Sequence, residues 1–357
     1  MDTMPEPELK VDVIAADGDV VFAVGTPPSK KIRVSSHILT RATGVLAALL
    51  GPKFSEGSAT RDPLSPAEIS LPEDDGAAMY NVCQLLHGNT IATLDYTAES
   101  EQLYKLAVVV DKYGCTERLR LQSQGLLLGY WDGDGRYDLS LAQLGQLAAT
   151  AYLLVYVREF TIATRRIVRD TTISCLQLAK EEYGHVLPPS MLAALEERRA
   201  AVQAKIANQL PQPGMPVCSD TDYKAYEQED SDLEMDEDEY VPTKCNNWDA
   251  AYNRAMCEAF GTDYWPPTFR PALISQKRHD DGDGLTLTKA ILNIKKMGPC
   301  RRAEPTCYYT EERTEVSAAK FGRFAKDLES SSKGICLWCV RAEESAEKIL
   351  YRCPHAF

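Results

Sequence analysis

The 357-residue chain is poor in the residues and signatures on which enzymes usually depend. It holds only five histidines. No Gly-x-Ser-x-Gly, Walker loop, His-Glu-x-x-His or Gly-x-Gly-x-x-Gly occurs in it, so nothing speaks for a nucleophile elbow, a phosphate cradle, a zinc-protease helix or dinucleotide binding. There is no Asn-x-Ser/Thr acceptor, and the first ten residues, MDTMPEPELK, are acidic and lack an apolar core. A secretory signal is therefore not expected. No run of about twenty predominantly apolar residues is present, so no membrane span is expected. The nearest, Leu139–Val157, carries no charge, but Ser140, Gln143, Gln146 and Thr150 interrupt it and Arg158 follows at once. It reads as a buried helix. No internal repeat is visible. These absences point to an intracellular protein of the cytoplasm and/or nucleus, its eleven cysteines reduced or metal-bound.

What is there begins with charge. The formal net charge is −13, and the window Asp220–Glu239 concentrates it, with eleven acidic residues against the single base Lys224. The rest of the chain is close to neutral, which leaves no basic footprint for nucleic acid. Such a window cannot bury enough apolar surface to fold, so 211–240 is expected to be an acidic disordered linker. The length predicts more than one domain.

Patterning divides the chain further. Val11–Gly25 holds two β-rich runs around Asp17-Gly18, a hairpin signal, and Lys31–Val34 reads as a third strand. Ser36 opens two short helices broken near Thr43-Gly44. Gly51–Pro66 is loop, and Glu68–Leu71 a strand. Ala77–His87, Glu99–Tyr113 and Thr116–Trp131 carry helical periodicity. In the second of these, Leu103, Leu106, Ala107, Val110 and Tyr113 line one face, and Gly114 sits where a left-handed cap is wanted. Further helices are predicted over Leu139–Val157, Phe160–Arg169, Ile173–Glu182 and from Pro188-Pro189-Ser190. The last has a stripe of Leu192, Leu195, Val202, Ile206 and Leu210, with Glu196 three residues before Arg199. Beyond the linker, Trp248–Phe260, Leu285–Met297 and Val316–Leu328 are candidate helices. A small strand cluster followed by helices implies an α+β fold in which helices cover the sheet.

Five blocks carry a resemblance: GDVVFAVG (Gly18–Gly25), IRVSSHILTRATGVLAALLGPKFSEG (Ile32–Gly57), EISLPEDD (Glu68–Asp75), YNVCQLLHG (Tyr80–Gly88) and LAVVVDKYGC (Leu106–Cys115). In this order and spacing they resemble a BTB/POZ domain of the filamentous-fungal type. The resemblance covers residues 10–131. It implies a helical cluster capped by a small sheet, followed here by a helical extension (139–210), the linker (211–240) and a helical, cysteine-containing C-terminal region (241–357). It also implies a non-enzymatic role in protein–protein association, including self-association through the N-terminal strand and first helices. Some members are substrate adaptors of cullin-RING ubiquitin ligases and carry a hydrophobic-x-Glu motif in the loop before the Leu-Pro-Glu strand. Phe54-Ser55-Glu56 matches it in type and place, which makes Phe54 and Glu56 candidate contacts to a cullin scaffold. Asp19 matches the charged position of the dimerising members, whereas Ser35-Ser36 stand where a basic residue is common.

The C-terminus has the clearest metal-like spacing. Cys336-x2-Cys339 is half of a tetrahedral thiolate site, and Cys353-x-His355 supplies two more ligands for one structural zinc. Cys300 and Cys307 are alternative ligands, and buried thiols are the competing reading. HDDGDGLTLTKA (His279–Ala290) lacks the terminal bidentate Glu of a calcium loop and reads as a polar turn. His37 and His87 read as structural, and Asp111-Lys112 as a helix-end cap or ion pair. Two functional classes follow: an interaction scaffold or ligase adaptor, and alternatively a transcription- or chromatin-associated regulator with a zinc-binding tail. Lys333, Arg341, Lys348 and Arg352 are interspersed with Glu343, Glu344 and Glu347, a poor face for phosphate, so no nucleic acid is expected.

Overall fold

The computed structural model describes residues 9–52, 62–91, 100–131, 139–209, 286–296 and 315–344. It has a mixed α+β architecture. The chain divides into two compact units, one of Met1–Thr164, Leu176–Leu192 and Gly334–Phe357, the other of Arg165–Cys175 and Ala193–Lys333.

The first unit contains the sheet. Strands β1 (Val11–Val13), β2 (Val20–Val24), β3 (Lys30–Val34) and β4 (Ala67–Leu71) lie in the order β1-β3-β2-β4. The β2–β3 pair is antiparallel, and β1 on β3 and β4 on β2 are parallel. The register aligns Ile32, Phe22 and Ile69 in one row, all buried, with Val20, Val24, Val34 and Leu71 on the same face. That face is the core side. On the other face Lys31 and Glu68 pair at 2.8 Å diagonally across β2, level with Ala23 and Val21 respectively.

The hairpin expected at Asp17-Gly18 is corrected. The β1 strand does not pair with β2 but takes the far side of β3. The hairpin joins β2 to β3 through Gly25–Ser29, closed by the Ser29 N–H donating to Val24 O at 2.7 Å. The contact of β1 with β3 runs on to Ile14, whose N–H donates to Arg33 O, and the turn that follows is closed by the Gly18 N–H donating to Ala15 O.

Helices α1 (Ser36–Ala42) and α2 (Gly44–Leu49) are separated by Thr43 alone. Thr43 ends α1, and its hydroxyl accepts the Leu46 N–H at 3.1 Å to begin α2. Helices α3 (Gly76–Leu86), α4 (Ser100–Lys112), α5 (Arg120–Leu128) and α6 (Leu141–Leu153) follow. Helix α4 packs between α3 and α6, and Leu103, Leu106 and Val110 are buried as the periodicity required. The uncharged run Leu139–Val157 contains α6, which opens with a Ser140–Gln143 capping box and is buried along most of its length. No described helix is long and apolar enough to cross a membrane.

Helix α7 (Val157–Asp170), two 3-10 turns (Cys175–Lys180 and Glu182–His185) and α8 (Pro189–Gln209) come next. The α-helix expected over Ile173–Glu182 is therefore replaced by 3-10 turns; the Glu196 carboxylate takes up the Cys175 N–H at 2.8 Å. In the second unit the described elements are completed by α9 (Leu287–Lys296) and α10 (Glu315–Ser331), which pack together. Basic side chains close the helix ends there. The buried Arg199 donates to Ile167 O at 2.8 Å and to the Thr171 hydroxyl, beyond the end of α7. Arg169 donates to Glu329 O and Ser332 O at the end of α10. Cations at carbonyl-rich helix ends match the sign of the dipole. Helix α11 (Leu337–Glu344) belongs to the first unit.

The predicted linker 211–240 and helix Trp248–Phe260 lie outside the described residues, as does most of His279–Ala290.

Candidate protein-interaction surface

The start of α1 shows how the first unit is tied together. Ser35 precedes α1 without a capping bond from its own side chain. Two distant residues take that role. The Asp19 carboxylate accepts the Ser36 N–H at 2.8 Å and the Ser36 hydroxyl at 2.6 Å. His87, just beyond α3, accepts the Ser35 N–H at Nε2 (3.1 Å) while Nδ1 faces Cys83 O at 2.7 Å. These partners require the neutral Nδ1–H tautomer. Burial holds the His87 pKa below its ordinary value, against the opposing pull of the Cys83 carbonyl and Asp17. Asp19, a candidate partner contact in the sequence, is half-buried and spends its carboxylate on this helix start.

A second network joins two of the sequence blocks. Asp74, from LPEDD, accepts Lys112 Nζ at 2.8 Å and the Tyr113 hydroxyl at 2.6 Å, both from DKYGC. Its side chain is only 4% exposed. Burial, and then the Asp74 carboxylate, push the Tyr113 hydroxyl pKa up. Gly114, at φ +63°, closes α4: the Cys115 N–H donates to Val110 O at 2.8 Å and the Gly114 N–H to Asp111 O at 3.0 Å. This is the Schellman pattern, and glycine adopts its left-handed residue with no Cβ penalty. Lys112 thus forms an ion pair, as the sequence suggested.

No described thiol in this region is poised for nucleophilic work. Burial pushes Cys115 up to about 11 and Cys83 up as well. In the second unit burial pushes Cys175 up to about 12. A thiol is reactive when its pKa is lowered, not raised.

The outward-facing features are apolar. Among the described strands β1 ends the sheet, and its Val11 and Val13, with Leu9 two residues before them, are all exposed, Val13 to 57%. Such an edge is a template for pairing with another chain. Leu64 is the second feature and escaped the sequence reading. It is 94% exposed, yet it sits in a tight turn. The Asp62 carboxylate accepts the Leu64 N–H at 2.9 Å, the Ser65 N–H donates to Asp62 O at 2.9 Å, and Arg33 holds Pro63 O at 2.8 Å. The signal for it was Asp62-Pro63, a turn-initiating pair. A large apolar side chain held out by hydrogen bonds is what a docking anchor needs. Leu64 comes eight residues after Glu56 in the sequence; Phe54 and Glu56 lie outside the described residues.

Of the proposed zinc ligands, Cys336 is buried and Cys339, within α11, is exposed. Cys353 and His355 lie outside the described residues, as do Cys300 and Cys307. Among the described residues no group of His, Cys, Asp or Glu is arranged to hold a metal.

Compared with family models, curated proteins and solved structures, the chain finds no match.

Proposed function

We propose that this chain is a non-enzymatic protein-interaction module of BTB/POZ type. In this reading it acts inside the cell, in cytoplasm and/or nucleus, as a scaffold that self-associates and serves as a substrate adaptor for a cullin-RING ubiquitin ligase. The observation that carries the reading is strand β1, at the edge of the sheet among the described strands, whose Val11 and Val13 side chains are exposed together with Leu9 just before it. Exposed apolar side chains on a strand edge gain from burial against a partner. The Asp74 network supports the same reading, since it gives two of the family-like blocks one shared structural purpose. The adaptor role rests on Phe54-Ser55-Glu56, with Leu64 as a neighbouring anchor.

Self-association is tested by sedimentation velocity of wild type and Val11→Lys/Val13→Lys across micromolar concentrations. A wild-type dimer that the double variant reduces to monomer is expected. A wild type that stays monomeric throughout removes the self-association. The adaptor role is tested separately by binding to a purified cullin N-terminal domain, with Phe54→Ala/Glu56→Ala as the comparison. A wild type that fails to bind at micromolar concentration removes the adaptor role.

A further inference from the structure

The segment Gly334–Glu344 reaches its place in the first unit from far along the chain. Its Ile335 N–H donates to the Thr164 hydroxyl at 2.9 Å across 171 residues of sequence. The Thr164 hydroxyl proton is already committed to Phe160 O at 2.8 Å, so its oxygen is oriented to accept. The Thr161 hydroxyl lies 3.3 Å from Ile335 O, but its proton has a nearer acceptor in Val157 O at 2.9 Å. One hydroxyl on α7 therefore holds the Ile335 N–H, with the Thr161 side chain one turn away lying close to the carbonyl of the same residue. The approach is close: a Cβ added at Gly334 would collide with Thr161 O. Ile335, Cys336, Leu337 and Val340 are buried, while Trp338 and Cys339 face outward. Arg341 completes the contact by donating to Tyr152 O at 2.5 Å, near the end of α6, with its guanidinium 4.9 Å from the Tyr152 ring.

These contacts are those of a bound peptide: a backbone N–H held by a fixed hydroxyl, apolar anchors on one side of a short helix, and a cation at its far end. We propose that the corner of α6 and α7 is a peptide-recognition site for a Gly-Ile-Cys-Leu-x-x-Val-Arg helix, and that Gly334–Glu344 is its built-in ligand. Delivery in cis raises the effective concentration of the segment at the site, so a modest intrinsic affinity keeps the site filled. Releasing the segment opens the site to the same sequence supplied in trans.

The test uses the full chain and a labelled synthetic peptide, residues 333–344, under reducing conditions. In Gly334→Val the added side chain collides with Thr161 O, so the segment leaves and its amide exchange accelerates. Peptide binding to this variant, read by anisotropy, should be tighter than to wild type by about tenfold or more. Adding Thr164→Val, which keeps the shape of α7 but removes the acceptor, should weaken that binding by about tenfold. Arg341→Ala is the second vacated variant should Gly334→Val not fold; the peptide brings its own arginine. Equal peptide binding by wild type and both vacated variants would overturn the proposal. So would undiminished protection of 335–340 in Gly334→Val, or indifference to Thr164→Val.

Discussion

The Tyr113 hydroxyl donates to the Asp74 carboxylate at 2.6 Å, in a site where the Asp74 side chain is almost wholly buried. The bond ties the end of α4 to the turn after β4, and Lys112 shares the same carboxylate. Removing the donor in Tyr113→Phe leaves Lys112 as a partner, so the buried charge is not stranded. A loss of about 1.5–3 kcal/mol is expected, the range for a hydrogen bond to a charged group. Urea denaturation measures it; an unchanged midpoint would mean the bond contributes nothing.

His87 predicts a pH dependence. Its pKa in the folded protein lies below the ordinary value of 6.5, burial being the main cause. The unfolded chain therefore binds the proton more readily. The stability His87 contributes is present above pH 6.5 and is lost as pH falls from there through the depressed folded value. Protonation also removes the acceptor for the Ser35 N–H at the start of α1. Wild type should lose more stability on acidification through this window than His87→Ala. Parallel losses would exclude His87 as the cause.

Much of this architecture was legible from local signals. The break at Thr43-Gly44 is a side-chain cap, and the end of α4 is a glycine in the left-handed region; both depend on neighbours within a few residues. The stripe of Leu103, Leu106 and Val110 was readable for the same reason. What was not legible is non-local. The parallel pairing of β1 with β3 depends on a register that no short window encodes. Asp19 capping a helix that begins seventeen residues later, and Ile335 docking on Thr164, leave no periodic trace. Nor does composition reveal that Leu64 points outward, because an isolated leucine in a loop reads the same buried or exposed.

Val155 adopts φ +61° after α6. It takes the position glycine usually fills, with the Tyr156 N–H donating to Ala151 O at 2.9 Å. A β-branched residue there is strained by about 1–2 kcal/mol. Val155→Asn, which tolerates this region, should raise stability by about 1 kcal/mol. A lowered denaturation midpoint would show that the half-buried valine side chain outweighs the strain.

Leu64 and Phe54 give a prediction that separates binding from folding. A nearly fully exposed side chain contributes little to its own core, so Leu64→Ser should change stability by less than about 0.5 kcal/mol. If the loop is the adaptor surface, the same change should weaken cullin binding by about tenfold or more, since covering one leucine contributes about 1.5–3 kcal/mol. Phe54→Ala should act alike. Binding unaffected by both variants would place the contact elsewhere.

Thr43 leaves the chain no slack between α1 and α2. Each residue advances a helix by about 100°. Inserting one residue at Thr43 would therefore swing α2 by more than a quarter turn, taking the buried Leu46 outward and bringing the exposed Val45 toward the core. The length of this junction is fixed as firmly as any core side chain. Tolerance to inserted residues should be lost here and retained at the exposed turn that carries Leu64, so a scan of one-residue insertions would map the rigid half of this unit without reference to any partner.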